Sequence, residues 1–559
     1  MNAALPPVLM AREPIDEYGP SLTPPPLELR PYTRAELWER FRGGEREADE
    51  CERWLAQASR ARAALDLAIA DGLAALKIGD RLPQLGYRLG DYAREVLDIE
   101  ASTALGLARL ARELRARPLL REAVRAGRVA FRAAQVVLPV AKGDAEAQWV
   151  ELAAAETVRA LEKRVREAGV RAEGDESWGR IGIACKPEER EVVDAALEVA
   201  GQQLPGARRF ERLEAIAQEY LAEFPEPVAE VHETTAALAE SSRMAEIFRR
   251  PYAAERLERR EAELEAETDR WAMLPAVPGV SAPEVEFPAH ATAAEVDARI
   301  RGLARLQRRW DDIVGYCAHA VRSSRIYQIL GFASFRQYCE ERLGLPARAA
   351  EQRAALEKQM WKSPALREAR AQGLSYEKLR SLSRLPEEDL AVAVERAKRV
   401  TCIALRRELE AREEGQMRAR GKLSVVAPER VASVLAAAIR GVRARVGRQV
   451  GAGTCLAIIC AHFLAVWGMP ARPKTVSQRV RERDGGMCTV PGCSHPATDS
   501  HHVVFRSRGG DLTDPANQTG VCEYHHHRCI HAEYLHAEGT APEGITWVLG
   551  GEVFRGGVG

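Results

Sequence analysis

Several features that define other classes of protein are scarce in this chain. Aromatic residues make up only 6% of it, and the helix formers Ala, Arg, Glu and Leu dominate, so the composition predicts a mainly α-helical protein rather than a sheet-rich one. The 81 basic and 81 acidic residues cancel, which excludes a global positive field, so any nucleic acid must be bound locally. No stretch has the roughly 18 apolar residues of a membrane span and the start lacks a secretory pattern, so we expect no membrane partner and a cytoplasmic location.

Cysteines are few and unevenly distributed. Four of the eleven lie among histidines near the carboxyl terminus, and such clustering predicts a metal site. The other seven are scattered singly, as expected for small buried residues in a reducing compartment. These seven are Cys51, Cys185, Cys317, Cys339, Cys402, Cys455 and Cys460.

Two long stretches of the chain resemble each other at a separation of 246 residues. The matching pairs are Tyr92 and Tyr338, Pro118 and Pro364, Arg121 and Arg367, Glu122 and Glu368, and Gly127 and Gly373. Further along, "RIGIACKPEEREVVDAALEVAG" and "KLSVVAPERVASVLAAAIRG" each predict a short strand, a Pro-Glu helix start and an amphipathic helix. We infer that a mostly helical module has been duplicated.

The predicted organisation has five parts. They are a Pro-rich, disordered arm over 1–45, a helical module over 46–225, a charged helix and Pro-rich linker over 226–297, a second module over 298–468, and a small domain over 469–559. A helix-Gly-helix outline occurs in both modules, and we interpret it as an ordinary helical corner rather than a DNA-reading element. The modules are expected to serve homodimerisation, target choice or regulation.

Four residues near the carboxyl terminus have the spacing of a closed tetrahedral zinc site. Cys488 and Cys493 lie in "CTVPGC", and Cys522 and His525 lie in "CEYH". Thiolate and imidazole ligands favour zinc, and a domain of about 90 residues with few large apolar side chains gains stability from such a staple. We therefore predict a structural Zn²⁺ site.

A second group of histidines remains after the zinc ligands are assigned. His501 and His502 are adjacent, and because neighbouring residues of a strand point to opposite faces, we expect them to have different roles. A helix can bring His531 beneath either His526 or His527 to hold a cation. The spacing alone does not choose between these two histidines.

The pattern "CTVPGC…DSHHVVFRSRGG…N…CEYHHHRCIH" resembles the HNH endonuclease motif, in the zinc-stapled form of bacterial proteins that carry an upstream helical domain. The resemblance covers about residues 474–550. It implies a ββα-metal fold in which His501, His526 and His531 hold a divalent cation, Mg²⁺, Mn²⁺, Ni²⁺ or Zn²⁺. It also implies that His502 is the general base that activates water, which suits a neutral imidazole. Asn517 would orient this base or brace its loop.

Basic residues on both sides of the motif are candidates for contacts with phosphate. Arg506 and Arg508 lie in the Gly-rich "FRSRGGD" loop, and Arg479 and Arg483 share one face of an upstream helix. For each pair, a solvated surface charge is the alternative interpretation.

The predicted function is a metal-dependent endonuclease that hydrolyses DNA, and RNA stays open as a substrate. The stretch "NQTGVC" departs from the family pattern because it has Gln518 and Gly520 where apolar residues are usual, which puts the packing of the Asn517 loop in question. One alternative is therefore a zinc-stapled DNA-binding module without turnover. Another is a helical scaffold or regulator with an accessory nuclease domain.

Overall fold

The computed structural model describes Pro24 and residues 45–126, 128–168, 178–204, 206–225, 285–329, 332–468, 475–549 and 552–555. Apart from Pro24 and Glu45, the predicted arm lies outside these residues, as do the charged helix and most of the linker. The described chain is mainly helical, with small antiparallel sheets, which confirms the fold class at that level. None of its helices combines the length and the apolar character needed to cross a membrane.

In the residues that the structure describes, the first copy of the duplicated sequence forms ten α-helices, one strand and a short 3-10 turn, Gly143–Ala145. The α-helices and the strand are α1 (Glu45–Leu76), α2 (Arg81–Gln84), α3 (Leu89–Tyr92), α4 (Ala101–Arg115), α5 (Pro118–Arg125), α6 (Phe131–Val137), α7 (Glu146–Ala155), α8 (Val158–Glu167), β1 (Trp178–Ala184), α9 (Pro187–Gln203) and α10 (Arg209–Glu223). A π-helical turn, Ala93–Leu97, continues α3.

The second copy repeats this order. Its elements are α11 (Ala293–Ser324), α12 (Ile326–Ile329), α13 (Phe335–Gln337), α14 (Ala347–Lys362), α15 (Pro364–Ala371), α16 (Tyr376–Leu382), α17 (Glu387–Ala397), α18 (Cys402–Ala419), β2 (Lys422–Pro428), α19 (Glu429–Val446) and α20 (Ala452–Trp467). A π-helical turn, Tyr338–Arg342, again follows the third helix of the copy.

The chain divides into two compact units that differ from the predicted domain boundaries. The first unit contains residues 1–172 and 246–402, and the second contains residues 173–245 and 403–559. Each copy therefore contributes most of its helices to the first unit and its strand and last two helices to the second, to which the second copy also adds α18 from residue 403 onward. The physical reason is that each copy buries its apolar faces against the other copy, so the repeat seen in the sequence is not the unit that folds around a core.

In the first unit the two copies share one hydrophobic core. Helices α1 and α11 are both 32 residues long and pack along each other, while α4 packs on α1 and α14 packs on α11. The paired residues Tyr92 and Tyr338 are both fully buried in this core. The matched tyrosines of the sequence therefore mark equivalent core positions.

In the second unit, strand β1 of one copy pairs with strand β2 of the other. The pairing is antiparallel and runs from Trp178 opposite Pro428 to Ala184 opposite Lys422. Helix α9 packs on α20, and α10 packs on α19. The first helix after each strand therefore lies against the second helix after the other strand. These elements enclose a second core. The two strands form a two-stranded ribbon backed by four interlocked helices.

The carboxyl-terminal region contains the predicted metal ligands. Its elements are α21 (Val476–Arg483), β3 (Asp499–His502), β4 (Gln518–Val521), a π-helical turn (His525–Ile530), β5 (Leu535–Thr540), β6 (Gly544–Leu549) and β7 (Glu552–Arg555). Strands β3 and β4 pair antiparallel, and β5, β6 and β7 form an antiparallel sheet. Two strands followed by a short helix are thus present, and the assignment of these elements to the HNH fold stays a prediction.

Candidate metal centre

The four predicted zinc ligands lie together in the protein interior. Cys488, Cys493, Cys522 and His525 are buried, and their ligand atoms all lie within 4.8 Å of one another. The Sγ atoms of Cys493 and Cys522 are 4.0 Å apart, and Sγ of Cys488 is 3.5 Å from Nδ1 of His525. A tetrahedral ion with ligands at about 2.3 Å requires neighbouring ligand atoms about 3.8 Å apart. The group can therefore hold a metal ion, and its donors and spacing fit zinc.

Short turns place these ligands. The segment between Cys488 and Cys493 folds back on itself, with the Cys493 amide donating to the carbonyl of Val490 (3.0 Å), and the guanidinium of Arg407 in α18 donates to the Cys493 carbonyl (2.7 Å). Cys522 follows β4 directly, and His525 begins the π-helical turn. The end of β4 and the start of the π-helical turn thus lie next to the turn that carries Cys488 and Cys493. A bound ion would hold these three segments together.

Electrostatics in this group also suits a cation. Hydrogen bonds from Cys488 and Cys493 hold the pKa of Cys522 below its usual value. Burial acts to lower the pKa of His525, but hydrogen bonds to Cys488 and Cys522 outweigh it and raise the pKa to about 10. Protons held between close sulfur and nitrogen atoms are what a metal ion displaces when it binds.

A separate cluster is formed by three histidines from β3 and the π-helical turn. Nε2 of His526 lies 3.1 Å from Nε2 of His531, and the His501 ring is 5.6 Å and 6.2 Å from these two rings, measured between centroids. Two nitrogens bound at about 2.1 Å to one ion, at right angles, are about 3.0 Å apart. The structure thus places His526 and His531 at a spacing that suits one ion, with the His501 ring beside them. The histidines whose ligand atoms all lie within 4.8 Å of one another are His526, His527 and His531.

His526 and His527 differ in how closely their rings approach His531, although the ligand atoms of both lie within 4.8 Å of those of His531. The ring of His526 is 4.6 Å from that of His531, whereas the ring of His527 is 5.8 Å from it. Nδ1 of His526 also lies 3.6 Å from a carboxylate oxygen of Asp499, just beyond hydrogen-bonding distance. A carboxylate behind an imidazole orients the ring and keeps its other nitrogen available to a metal. Asp499 was not among the predicted site residues, although its position two residues before His501 places both on one face of β3.

Burial makes these imidazoles suitable metal ligands at neutral pH. Burial and the neighbouring rings of His526 and His531 lower the pKa of His501 to about 4. Burial and the proximity of His531 also lower the pKa of His526, against the opposing effect of Asp499. A neutral imidazole has the lone pair that a metal ion requires, so protonation does not compete with binding near pH 7.

His502 does not join the histidine cluster. It pairs with Gln518 across the β3–β4 ladder and is half-buried, and among the described residues no hydrogen bond or ring contact links it to His526 or His531. Its Nε2 atom is buried without a hydrogen-bond partner in the described chain. The adjacent histidines thus occupy different environments, as the alternation of a strand requires.

Asn517 holds the loop between β3 and β4. Its Oδ1 accepts a hydrogen bond from the Val504 amide (2.8 Å), and its Nδ2 donates to the carbonyls of Val504 (3.0 Å) and Asp511 (2.8 Å). This loop carries Arg506 and Arg508, which are exposed. Asn517 therefore has the loop-bracing geometry, and the two arginines lie on a surface that a polyanion can reach.

The unusual residues after Asn517 are fully accommodated. The Gln518 side chain accepts from the Ser500 hydroxyl (3.0 Å) and donates to the Leu512 carbonyl (2.7 Å). The Gly520 amide donates to the buried carboxylate of Asp484 (2.7 Å), and a Cβ at Gly520 would lie 3.3 Å from this carboxylate. Hydrogen bonds thus replace the apolar contacts usual at these positions, and Asp484 is a residue that the sequence reasoning missed.

The two upstream arginines have different environments. Arg479 is exposed on α21, whereas Arg483 donates to the Asp484 carboxylate (2.7 Å) and to the carbonyls of Pro515 (2.7 Å) and Gln518 (2.8 Å). Because these internal acceptors engage its guanidinium, Arg483 ties α21 to the loop of Asn517. Of this pair, Arg479 is the one whose side chain is exposed.

Comparison with family models, curated proteins and solved structures finds no match to this chain. The HNH resemblance therefore depends on the motif itself and on the geometry of the two ligand groups.

Proposed function

We propose that the carboxyl-terminal region is a metal-dependent endonuclease that hydrolyses phosphodiester bonds of DNA. The observation that carries the proposal is a second group of imidazoles, separate from the buried Cys3His group: the ligand atoms of His526 and His531 lie close together, and the ring of His501 lies beside both rings. A purely structural zinc domain needs only the buried group. A second, partly exposed set of imidazoles is what a reactive cation with open coordination requires.

Each metal has its own set of residues in this proposal. Cys488, Cys493, Cys522 and His525 would hold a structural Zn²⁺. His501, His526 and His531 would hold a divalent cation, with Asp499 orienting His526 through Nδ1. When bound, this cation would supply positive charge that stabilises the phosphorane and the leaving 3′ oxygen.

The remaining roles fall to groups of the protein itself. His502 would accept the proton of the attacking water, because its Nε2 is committed to no other described residue. Asn517 positions the loop that follows His502 through its three hydrogen bonds. Arg506 and Arg508 would bind the phosphates on either side of the cleaved bond, and Arg479 would bind the backbone further away.

The second candidate function is a zinc-stapled DNA-binding module that does not cleave. One observation favours it: Nε2 of His502 is buried, so water must enter beside this atom before it can act as a base. This candidate predicts DNA binding at the same surface with no turnover.

The test is cleavage of supercoiled plasmid DNA by the purified full-length protein with Mg²⁺, Mn²⁺ or Ni²⁺. We expect nicking, and we expect His502→Ala to lower its rate by at least about 100-fold, as is typical for loss of a general base. His536→Ala is the matched control, because His536 is an exposed histidine of the same region, on β5.

The outcomes separate the two candidates. Nicking that His502→Ala leaves unchanged, or the absence of nicking with every metal, would contradict the proposed nuclease. Retained DNA binding without nicking would assign the region to the non-cleaving module. Loss of activity in His536→Ala would show instead that the assay reports general damage to the domain.

A further inference from the structure

The outer face of the β1–β2 ribbon is not used by the site described above. Side chains alternate along both strands: Leu423, Val425 and Ala427 of β2 are buried in the core of the second unit, while the residues between them face outward. The outward residues are Trp178, Arg180, Gly182 and Ala184 on β1 and Lys422, Ser424 and Val426 on β2.

Much of this outer face is exposed in the described chain. Val426 keeps 52% of its surface exposed, and Trp178, whose ring packs against Phe210 of α10, keeps 51%. A Cβ added at Gly182 would meet no atom within 4 Å. A glycine in the middle of a strand often marks a place where a ligand or another backbone approaches closely. The ribbon therefore presents a central gap between larger side chains.

The dimensions of the ribbon match those of one ligand, the major groove of B-form DNA. Two paired strands lie about 4.8 Å apart, and with their side chains they fit a groove about 12 Å wide. The four interlocked helices behind the ribbon hold it in place, so little conformational freedom is lost on binding. The major groove of A-form RNA is too narrow for such an element.

The charges of the ribbon and its surroundings suit the same ligand. Arg180 and Lys422 extend from the outer face. Arg180 contacts the hydroxyl of Ser424 (3.2 Å) and lies 3.9 Å from a Glu413 carboxylate, but both charged groups are more than half exposed, so that ion pair is weak. The guanidinium is thus held over the ribbon and free to exchange its partner for a base.

Basic loops flank the two ends of the ribbon. Arg208 precedes α10, whose Phe210 ring packs edge-on against Trp178 at one end (5.2 Å between centroids). The loop containing Arg448 leads into α20, where Gly453 packs so closely on Ala184, at the other end, that no side chain fits there. A groove occupied by the ribbon is bordered by two phosphate backbones, and Arg208 and Arg448 are the exposed basic residues of these two loops.

We propose that the β1–β2 ribbon reads DNA in the major groove, with Arg180 and Ser424 contacting base edges and Arg208, Lys422 and Arg448 contacting phosphates. The backbone at Gly182 allows the ribbon to enter deeply. Because the duplication has placed different outward residues on the two strands, the preferred site is not palindromic. Because the chain carries no net charge, DNA must be recognised by a local element. In this proposal the ribbon is that element and selects the target sequence.

This inference shares DNA with the proposed nuclease, but the two are independent. Binding would be selected from random-sequence duplex DNA with the full-length His502→Ala protein, and the enriched sequence measured by fluorescence anisotropy. We expect Gly182→Val to weaken binding to that sequence at least about tenfold, because the added side chain keeps the ribbon out of the groove. Valine favours extended backbone, so the melting temperature should not fall.

Two further variants define the contacts. Arg180→Ala should reduce discrimination at one base pair about tenfold, whereas Arg448→Ala should weaken binding equally for all sequences. Arg166→Ala, an exposed arginine of α8 in the first unit, is the control and should leave binding unchanged.

Several outcomes would overturn the inference. They are failure to enrich any sequence, equal binding by Gly182→Val, or a DNA-free dimer that Gly182→Val dissociates, which would assign this face to a second copy of the chain. Specific binding without cleavage by the wild-type protein would contradict the nuclease and leave the ribbon standing. If DNA is cleaved without sequence-specific binding, and Gly182→Val leaves cleavage unchanged, the ribbon proposal would be contradicted and the proposed nuclease would stand.

Discussion

Replacing Asp484 with Asn tests how β4 is anchored beneath the candidate site. The Asp484 carboxylate is 1% exposed and accepts hydrogen bonds from the Gly520 amide (2.7 Å) and the Arg483 guanidinium (2.7 Å and 3.0 Å). Asparagine keeps the shape but replaces one accepting oxygen with a donor, which would face another donor. Breaking a buried ion pair costs about 3–5 kcal/mol. Because Arg483 keeps two carbonyl acceptors, we expect the lower value, about 3 kcal/mol.

The assay is hydrogen exchange of the amides in β4, Gln518–Val521. A loss of about 3 kcal/mol in local stability should accelerate their exchange by roughly 100-fold. The control is Glu523→Gln, an exposed carboxylate just beyond the strand, which should leave exchange unchanged. Exchange in Asp484→Asn within about threefold of wild type would refute the reasoning that this buried carboxylate, rather than apolar packing, holds the strand.

Three further results are expected. Cys493→Ala should lose the stoichiometric zinc measured by elemental analysis, whereas Cys529→Ala, a buried cysteine outside the ligand group, should retain it; equal zinc in both would contradict the ligand assignment. His526→Ala should lower plasmid nicking by at least about 100-fold and His527→Ala by less than about fivefold, and the opposite order would show that His527 faces the cation. Burial lowers the pKa of His319 to about 4, so this group is neutral when folded and protonated when unfolded below its ordinary pKa of 6.5. Its contribution to stability should be lost as the pH falls from 6.5 to 4, by on the order of 2 kcal/mol, and thermal melts of His319→Gln should lack this slope.

The chemistry of the metal groups could be predicted from local sequence. Cys488 and Cys493 lie in one short turn, and Cys522 and His525 lie three residues apart, so chain connectivity alone keeps each pair together. The choice of His526 over His527 could not be predicted, because both spacings to His531 suit a helix. It depends on the π-helical turn, which contains both histidines, and on Asp499 of strand β3.

The environments of two arginines just before the motif could not be predicted from the sequence either. Arg479 and Arg483 look equivalent on a helical face, yet one is exposed and the other is bonded to Asp484, Pro515 and Gln518. A charge pattern indicates where a side chain leaves the backbone, but which acceptors surround it is decided by segments more than 30 residues away.

The sequence by itself determined that the protein is mainly helical, that a module is duplicated and that sulfur and imidazole ligands cluster near the carboxyl terminus. These properties follow from composition, periodicity and short spacing, which act within a few turns of chain. Only the tertiary structure decided that the two copies share both cores and that β1 finds its partner in β2, with Ile181 opposite Val425. A strand specifies which of its faces is apolar, but its partner is selected by the burial that the whole fold achieves.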